Sequence, residues 1–372
     1  GDEGGTGLSA LIHWYYALEH GGWPPAEDYS ALTNILPAIE LDQQYLGREI
    51  PFWREYVASA SAKDDLWDAM SLIPHFGDIQ TPIVHIQARD EWTDDGLEAW
   101  QGLVERAATS QARDAQWFVM GEHQHGGVIY TPTGDSPAHQ RVQAAMDHFL
   151  DGSDEAILDM PRVLYSVTNS DDWVEAGSWE PASGELGFHL LNTGTDPLGH
   201  ELGDQVADGE PIRWTHDPEH EDPCAGDGEA LFFTSKGLDE AITIAGSPTL
   251  ALHVSASTPD ADLHAYLYRY SRSDGWEFLR AATQRMRFRD GDDNPTLLEP
   301  GEIYPVELRF PVFAYALGAG DLLGVYITSA ACASHENPNT GEAMGQETAY
   351  QVAELTLHSG SERPSRLVVP VR

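Results

Sequence analysis

The chain has 372 residues, 41% of them hydrophobic, and its 61 acidic and 20 basic residues give a net charge of −41. This apolar content excludes a disordered acidic chain, and the length suffices for two or three domains with buried cores. The charge argues against nucleic acid and anionic membranes as partners. The sequence also has no run of about 18 apolar residues that would span a bilayer.

Residues 1–75 form a first region, in which leucine and aromatic residues recur at helical spacing. Prolines interrupt this pattern at Pro24, Pro25, Pro37 and Pro51. Because proline breaks the hydrogen bonding of a helix interior, the region is predicted to contain several short helices.

Residues 76–155 form a second region with two apolar segments, Thr81–Arg89 and Gln116–Met120, which are predicted to be buried strands. Between them, Asp95–Thr109 has the spacing of an amphipathic helix. Another helix is predicted from Ser136, the expected N-cap, to about Leu150. Alternation of strands and helices favours a parallel sheet.

Residues 156–372 change in character, to short alternating runs separated by Gly, Pro and Asp. This pattern predicts an antiparallel β-sandwich or jelly roll. The runs are Arg162–Thr168, Leu231–Thr234, Thr249–Ser255, Leu263–Tyr270, Tyr304–Phe310 and Leu322–Thr328.

Two candidate catalytic residues follow the predicted strands of the second region. Asp90 ends the first strand and His125 follows the second, and strand–acid–helix–strand–histidine is the order of the last third of an α/β-hydrolase. A nucleophilic hydrolase needs such a histidine as base and such an acid to orient it. The Gly-x-Ser-x-Gly turn that would carry the nucleophile is absent from the chain.

Each candidate has an alternative. Glu91 competes for the acid role, and Asp90 itself fits a helix-capping acid. His123 competes with His125, although the glycines at 126–127 favour His125 because they let the backbone approach a neighbouring site closely.

No cofactor or metal is predicted. His123 and His125 lack a third ligand motif, and Asp260 and Asp262 lack a calcium-binding loop, so this Asp-x-Asp pair is expected at a solvated strand end. The chain's two cysteines are too few for a zinc site or a disulfide scaffold. Two alternatives stay open for them, a single disulfide or two buried thiols; they are Cys224 and Cys332.

Several stretches resemble the CocE/NonD-type serine hydrolases, a family that includes cocaine esterase, α-amino-acid ester hydrolases, glutaryl acylases and X-Pro dipeptidyl-peptidases. Two of them resemble the family's acid loop and histidine loop, and the others its C-terminal jelly roll. They are DEWTDDG at Asp90–Gly96, GEHQHGG at Gly121–Gly127, Leu231–Leu267, Pro300–Phe310 and Ser334–Glu342.

The resemblance implies an α/β-hydrolase remnant over 76–155 with a helical cap over 1–75, followed by a jelly-roll domain over 156–372. It places the catalytic acid on Asp90 and the catalytic histidine on His125. It also implies a small-molecule or peptide acyl substrate and a nucleophilic serine located before Gly1 or on a separate chain. Ser9 is rejected as nucleophile because the second glycine of the motif is missing.

A second function class is a non-catalytic binding or structural protein that retains a vestigial hydrolase segment. A sheet lacking half its strands would expose an edge, so either class is expected to pair with further polypeptide or with a second copy as a homo-oligomer. Because the chain begins at Gly1, we expect its natural N-terminus and any targeting signal to be missing, which leaves the location open.

The basic residues include only two lysines. An acidic excess with so little lysine is expected of a protein adapted to molar salt, where the Debye length falls to about 3 Å and self-repulsion is screened. The melting temperature should therefore rise steeply between about 0.1 M and molar KCl. A flat or falling melting temperature over that range would contradict halophilic adaptation.

Overall fold

The computed structural model describes residues 7–22, 35–89, 93–121, 136–179, 182–192, 199–221, 228–330 and 337–372. The chain starts with short helices, as the proline-interrupted pattern predicts. These are α1 (Gly7–His20), α2 (Leu41–Leu46), α3 (Pro51–Ala58) and α4 (Asp65–Met70), with 3₁₀ turns at Ala38–Glu40 and Ile73–Asp78. Within the described ranges, no helix combines the length and the apolar character needed to cross a bilayer.

The helices share a small core that includes one buried acid. Leu41 and Trp53 are fully buried in it, and so is Asp42. The Asp42 carboxylate accepts hydrogen bonds from the Ile50 amide at 2.7 Å and from the Arg54 guanidinium at 2.8 Å. Because a buried carboxylate is stable only when it is paired, these bonds hold α2 and α3 in one arrangement.

A four-stranded sheet follows, in the order β1-β2-β3-β4. Its elements are β1 (Ile83–Ala88), α5 (Thr93–Arg106), α6 (Ser110–Asp114), β2 (Gln116–Gly121), α7 (Pro137–Met146), α8 (Ala156–Asp159), β3 (Val163–Ser166) and β4 (Trp173–Ala176). The first three strands are parallel, and β4 is antiparallel to β3. Every residue of β2 is buried, as expected for a central strand covered on both faces.

The change from mixed to purely β structure comes later than the composition predicts. The run Arg162–Thr168, predicted to open the sandwich, forms β3 of the four-stranded sheet, with Val163 opposite Phe118. Val163 packs in the same apolar cluster as Trp100 of α5. A short alternating strand does not encode which sheet it joins, because the pattern reports burial and not the partner.

The remaining strands form one thirteen-stranded sheet. They are β5 (Gly184–Leu191), β6 (His200–Gly203), β7 (Ile212–His216), β8 (Ala230–Ser235), β9 (Ile242–Gly246), β10 (Thr249–Ala256), β11 (Asp262–Ser271), β12 (Gly275–Arg285), β13 (Tyr304–Arg309), β14 (Phe313–Leu317), β15 (Leu322–Thr328), β16 (Ala353–His358) and β17 (Arg366–Val371). Paired strands are antiparallel except β6 and β8, which are parallel. Side chains from strands throughout this sheet meet in one apolar core, so the sheet folds back on itself.

Candidate active site

The C-terminal ends of β1 and β2 lie side by side. Ala88 is opposite Gly121 in the parallel register, and the Arg89 amide donates a hydrogen bond to the Gly121 carbonyl oxygen at 2.9 Å. The two strands therefore end level with each other at the same edge of the sheet. In open parallel sheets this is the edge where ligands bind.

The predicted catalytic residues belong to these two segments. Asp90 and its alternative Glu91 follow β1, and His125 and its alternative His123 follow β2. All four lie outside the described residues, so their roles stay predictions. The described residues on either side of the two segments belong to β1, α5, β2 and α7.

The acid segment ends at the start of α5, which is attached to the larger sheet. The Thr93 hydroxyl donates to the Val312 carbonyl oxygen at 2.7 Å, and the Val312 amide donates to the Asp94 carboxylate at 2.8 Å. Ser247 and Arg309 also contact that carboxylate. Asp94 is thus a structural anchor that attaches the start of α5 to the larger sheet.

Helix α5 also packs closely against strand β1. A Cβ atom at Gly96 of α5 would lie 2.1 Å from the Gln87 side-chain nitrogen, so only glycine lets α5 approach β1 this closely. Next to it, His85 shares a hydrogen bond of 3.2 Å with the Gln116 side-chain oxygen. Burial lowers the pKa of His85 and the Gln116 hydrogen bond opposes that shift, which favours the neutral imidazole and a structural role.

The histidine segment ends at a capped helix. The Ser136 hydroxyl accepts a hydrogen bond from the His139 amide at 3.1 Å, as the N-cap prediction requires. One turn later Arg141, which is 2% exposed, donates to the Glu175 carboxylate of β4 at 2.9 Å. Helix α7, which follows the histidine segment, is therefore attached to the four-stranded sheet.

The outer edge of the four-stranded sheet is open among the described residues. β1 pairs there with β2 alone, and an apolar groove runs beside it. Leu150 in this groove is 78% exposed. The groove is lined by Pro82, Ile83, Val84, Trp117, Ala145, Met146, Phe149 and Leu150.

The helical region is docked on loops of the larger sheet. The Ile39 amide donates to the Gly345 carbonyl oxygen at 2.8 Å, and a Cβ atom at Gly345 would lie 2.0 Å from the Val57 side chain. Gly345 also has φ +73°, a backbone conformation that favours glycine. Both the lack of space for a Cβ atom and the backbone conformation therefore require glycine at this position. A second contact is the ion pair between Lys63 and Asp293, at 2.6 Å.

The Asp-x-Asp pair is buried, which corrects the expectation of a solvated strand end. Asp260 is fully buried and accepts a hydrogen bond from Arg287 at 2.7 Å. Asp262 is 2% exposed and accepts two hydrogen bonds from Arg285, at 2.7 and 2.9 Å. Asn337 bridges the two carboxylates. The Asp-x-Asp motif is visible in the sequence, but its arginine partners are not predicted by it. Arg285 lies at the end of the neighbouring strand β12, and Arg287 lies in the turn that follows.

A metal site is not formed by the described residues, which contain no group of three or more His, Cys, Asp or Glu side chains arranged to hold an ion. The oxygens of Asp260 and Asp262 are occupied by guanidinium and amide donors. Cys224 and Cys332 lie outside the described residues, so both alternatives for them stay open.

Comparison with known proteins matches residues 156–368 to the X-Pro dipeptidyl-peptidase C-terminal non-catalytic domain. The chain is 24% identical to cocaine esterase from Rhodococcus sp. (strain MB1 Bresler), over 92% of this chain and 65% of the esterase. It superposes with TM-score 0.82 on an aminopeptidase from the marine sediment archaeon Thaumarchaeota archaeon, at 17% identity over 100% of this chain and 70% of that one. An α-amino acid ester hydrolase superposes with TM-score 0.78, at 20% identity over 93% and 64% of the two chains.

Proposed function

Because the chain belongs to the family of the X-Pro dipeptidyl-peptidase C-terminal domain and to the CocE/NonD-type hydrolases, we propose that it forms part of a serine hydrolase of ester or amide bonds. In this proposal, the four-stranded sheet of β1 to β4 is the C-terminal part of an α/β-hydrolase sheet, and residues 1–75 are its helical cap. The strands from β5 onward make up the jelly-roll domain.

The observation that carries the proposal is the alignment of β1 and β2. Their C-terminal ends are level at Ala88 and Gly121, so the segments that contain Asp90 and His125 start one strand spacing apart. Strand spacing in a sheet is about 4.8 Å, which lets side chains of two such segments reach each other. The attachment of residues 93–94 to the larger sheet fixes the start of the helix that follows the acid segment.

The proposed mechanism uses an acyl-enzyme. A serine attacks the acyl carbonyl carbon, and His125 accepts the serine proton and passes it to the departing alcohol or amine. Asp90 orients the imidazole and stabilises its charged form. Water then attacks the acyl-enzyme with His125 again acting as base, which releases the acid and restores the serine. None of these steps needs a metal or organic cofactor.

Further polypeptide, covalent or associated, is proposed to supply the serine. The open edge of β1 and its apolar groove offer a place where another strand and helix would pack. The helical cap also exposes apolar side chains, including Trp14 at 53% and Leu18 at 75%. In addition, the chain spans just under two thirds of the cocaine esterase, 65% of its length.

The chain of residues 1–372 by itself is therefore expected to be inactive toward a fluorophosphonate probe, because it lacks the nucleophile motif. Material purified from the native source should react, and mass spectrometry should locate the label on a serine outside this sequence. A native mass equal to that of Gly1–Arg372, with no associated fragment and no labelling, would contradict the proposal and favour the non-catalytic binding protein.

A further inference from the structure

A group of basic side chains lies on the outer face of the larger sheet, on strands that the proposed active site does not use. His253 of β10 is directly opposite His358 of β16, and Thr356 of β16 is opposite Arg213 of β7. Side chains alternate along a strand, so these residues share the face opposite the buried core residues. Arg363 lies in the connection between β16 and β17. We call Arg213, His253, His358 and Arg363 the basic cluster.

The arginines of this cluster lack acidic partners. On a chain with 61 acidic and 20 basic residues, an exposed arginine has many carboxylates available. Yet neither the Arg213 nor the Arg363 guanidinium makes a hydrogen bond or ion pair with any residue that the structure describes. The Nδ1 atom of His253 is buried, and it too has no hydrogen-bond partner within the described ranges.

The charges of the cluster act on one another. Burial lowers the pKa of His253, and nearby Arg363 lowers it further. Burial likewise lowers the pKa of His358, with additional repulsion from Arg363, Arg213 and His253. Burial, and to a lesser degree the positive neighbours, therefore favour the neutral imidazoles, and an anion at the cluster would relieve the repulsion from those neighbours.

Several acidic groups lie on the strands and connections around the cluster, and one of them is already engaged. Asp208 accepts hydrogen bonds from the Ser361 amide at 2.7 Å and the Ser361 hydroxyl at 2.8 Å. Glu354 and Glu362 lie on β16 and in the connection after it. Other charged or titratable groups on these and the adjoining strands include His216 of β7, Tyr304, Glu307 and Arg309 of β13, Arg366 of β17, and Glu185 and His189 of β5.

One serine hydroxyl is hydrogen-bonded within the cluster. The Ser255 hydroxyl lies 2.9 Å from His358 Nε2, and Ser255 is opposite Thr356 in the sheet. Guanidinium groups donate in a planar fork that matches two oxygens of one anion, and imidazole and hydroxyl groups add single donors. Such a set suits an anion with several oxygens better than a spherical ion.

We propose that the basic cluster is a binding site for a small oxyanion, with inorganic phosphate, sulfate and carboxylate as the candidate ligands. The site does not depend on the proposed hydrolase activity, because its residues lie on β7, β10, β16 and the connection after β16. Anion binding would neutralise the repulsion among these side chains and hold three strands and one connection together.

The test is calorimetric titration of the whole chain with phosphate, sulfate or acetate, with KCl adjusted to keep the ionic strength constant. Arg213→Gln and Arg363→Gln should each weaken binding of the preferred oxyanion about tenfold, since each removes a charge-assisted hydrogen bond. The matched control is Arg48→Gln, which removes the same charge from an exposed arginine paired with Glu19 and should leave affinity unchanged. Binding should also tighten as pH falls below about 6.5, because the bound anion favours protonated imidazoles.

Two results would overturn the proposal. One is saturable binding of equal strength in the Arg213→Gln/Arg363→Gln double variant. The other is a titration in which chloride matches the oxyanions at the same ionic strength, which would show general counter-ion screening. Both arginines are exposed, so the variants should fold, and circular dichroism of each checks this.

Discussion

Replacement of His125 by alanine in the complete native hydrolase is expected to lower kcat by at least about 10⁴-fold. The reason is that His125 would both remove the serine proton and protonate the leaving group. The measurement is steady-state hydrolysis of an activated ester. His123→Ala is the matched control, because it removes the other histidine of the same segment and should leave kcat within a few-fold.

The acid role is tested in the same way. Asp90→Asn should lower kcat strongly, because the imidazole loses its orienting partner, whereas Glu91→Gln should change it little. If His123→Ala lowers kcat more than His125→Ala, the catalytic histidine is His123. If Glu91→Gln lowers kcat more than Asp90→Asn, the catalytic acid is Glu91. If none of the four variants affects kcat, the catalytic role of both segments is refuted.

Replacement of Asp262 by alanine is expected to destabilise the β domain by about 3–5 kcal/mol. Asp262 is 2% exposed and holds Arg285 through two hydrogen bonds, so its removal leaves a buried cation without its partner. Asp260 cannot replace it, because Arg287 already occupies that carboxylate. Urea unfolding followed by tryptophan fluorescence measures the loss.

The exposed ion pair between Asp204 and Lys236 provides the control for this prediction. Asp204→Ala should shift the urea midpoint little, because solvent screens the pair. Equal shifts for the two variants would refute a structural role for the buried pair.

The effect of Asp262 should depend on pH in one direction. Burial alone would raise the pKa of Asp262, but the charge and hydrogen bonds of Arg285 outweigh it and lower the pKa below its ordinary value. Because the pKa of Asp262 is lower in the folded state, its contribution to the free energy of unfolding is complete above about pH 4. That contribution is lost as pH falls through the pKa of Asp262 in the folded protein. The difference in stability between wild type and Asp262→Ala should therefore shrink only at acid pH.

Local patterns predict much of the secondary structure. The amphipathic spacing predicts α5 to within a few residues of Thr93–Arg106, and the Ser-Pro signal marks the start of α7 at Pro137. The apolar segments that become β1 and β2 are also recognisable. These features depend on periodicity and capping, which are properties of neighbouring residues.

Partners distant in the chain could not be predicted in this way. The run that becomes β3 has the same alternation as the sandwich strands, yet it pairs with β2. Asp94 has the position of a helix-capping acid in the sequence, but the structure shows it accepting a hydrogen bond from Val312, more than two hundred residues later. The cross-strand pair of Asp262 and Arg285 could not be predicted from the sequence either, because the register of two strands is set by the assembled sheet.

The sequence by itself determined the order of helical, mixed and β regions, the acidic surface, and the two segments with candidate catalytic residues. Composition, periodicity and short motifs are carried by residues close in the chain, so folding is not needed to recognise them. Only the tertiary structure decided that β1 and β2 end level at one sheet edge, that the Asp-x-Asp pair is neutralised by arginines, and that four basic side chains form a cluster on the larger sheet. Each of these depends on contacts between strands far apart in sequence, and such contacts are selected by the packing of the whole sheet and not by local propensity.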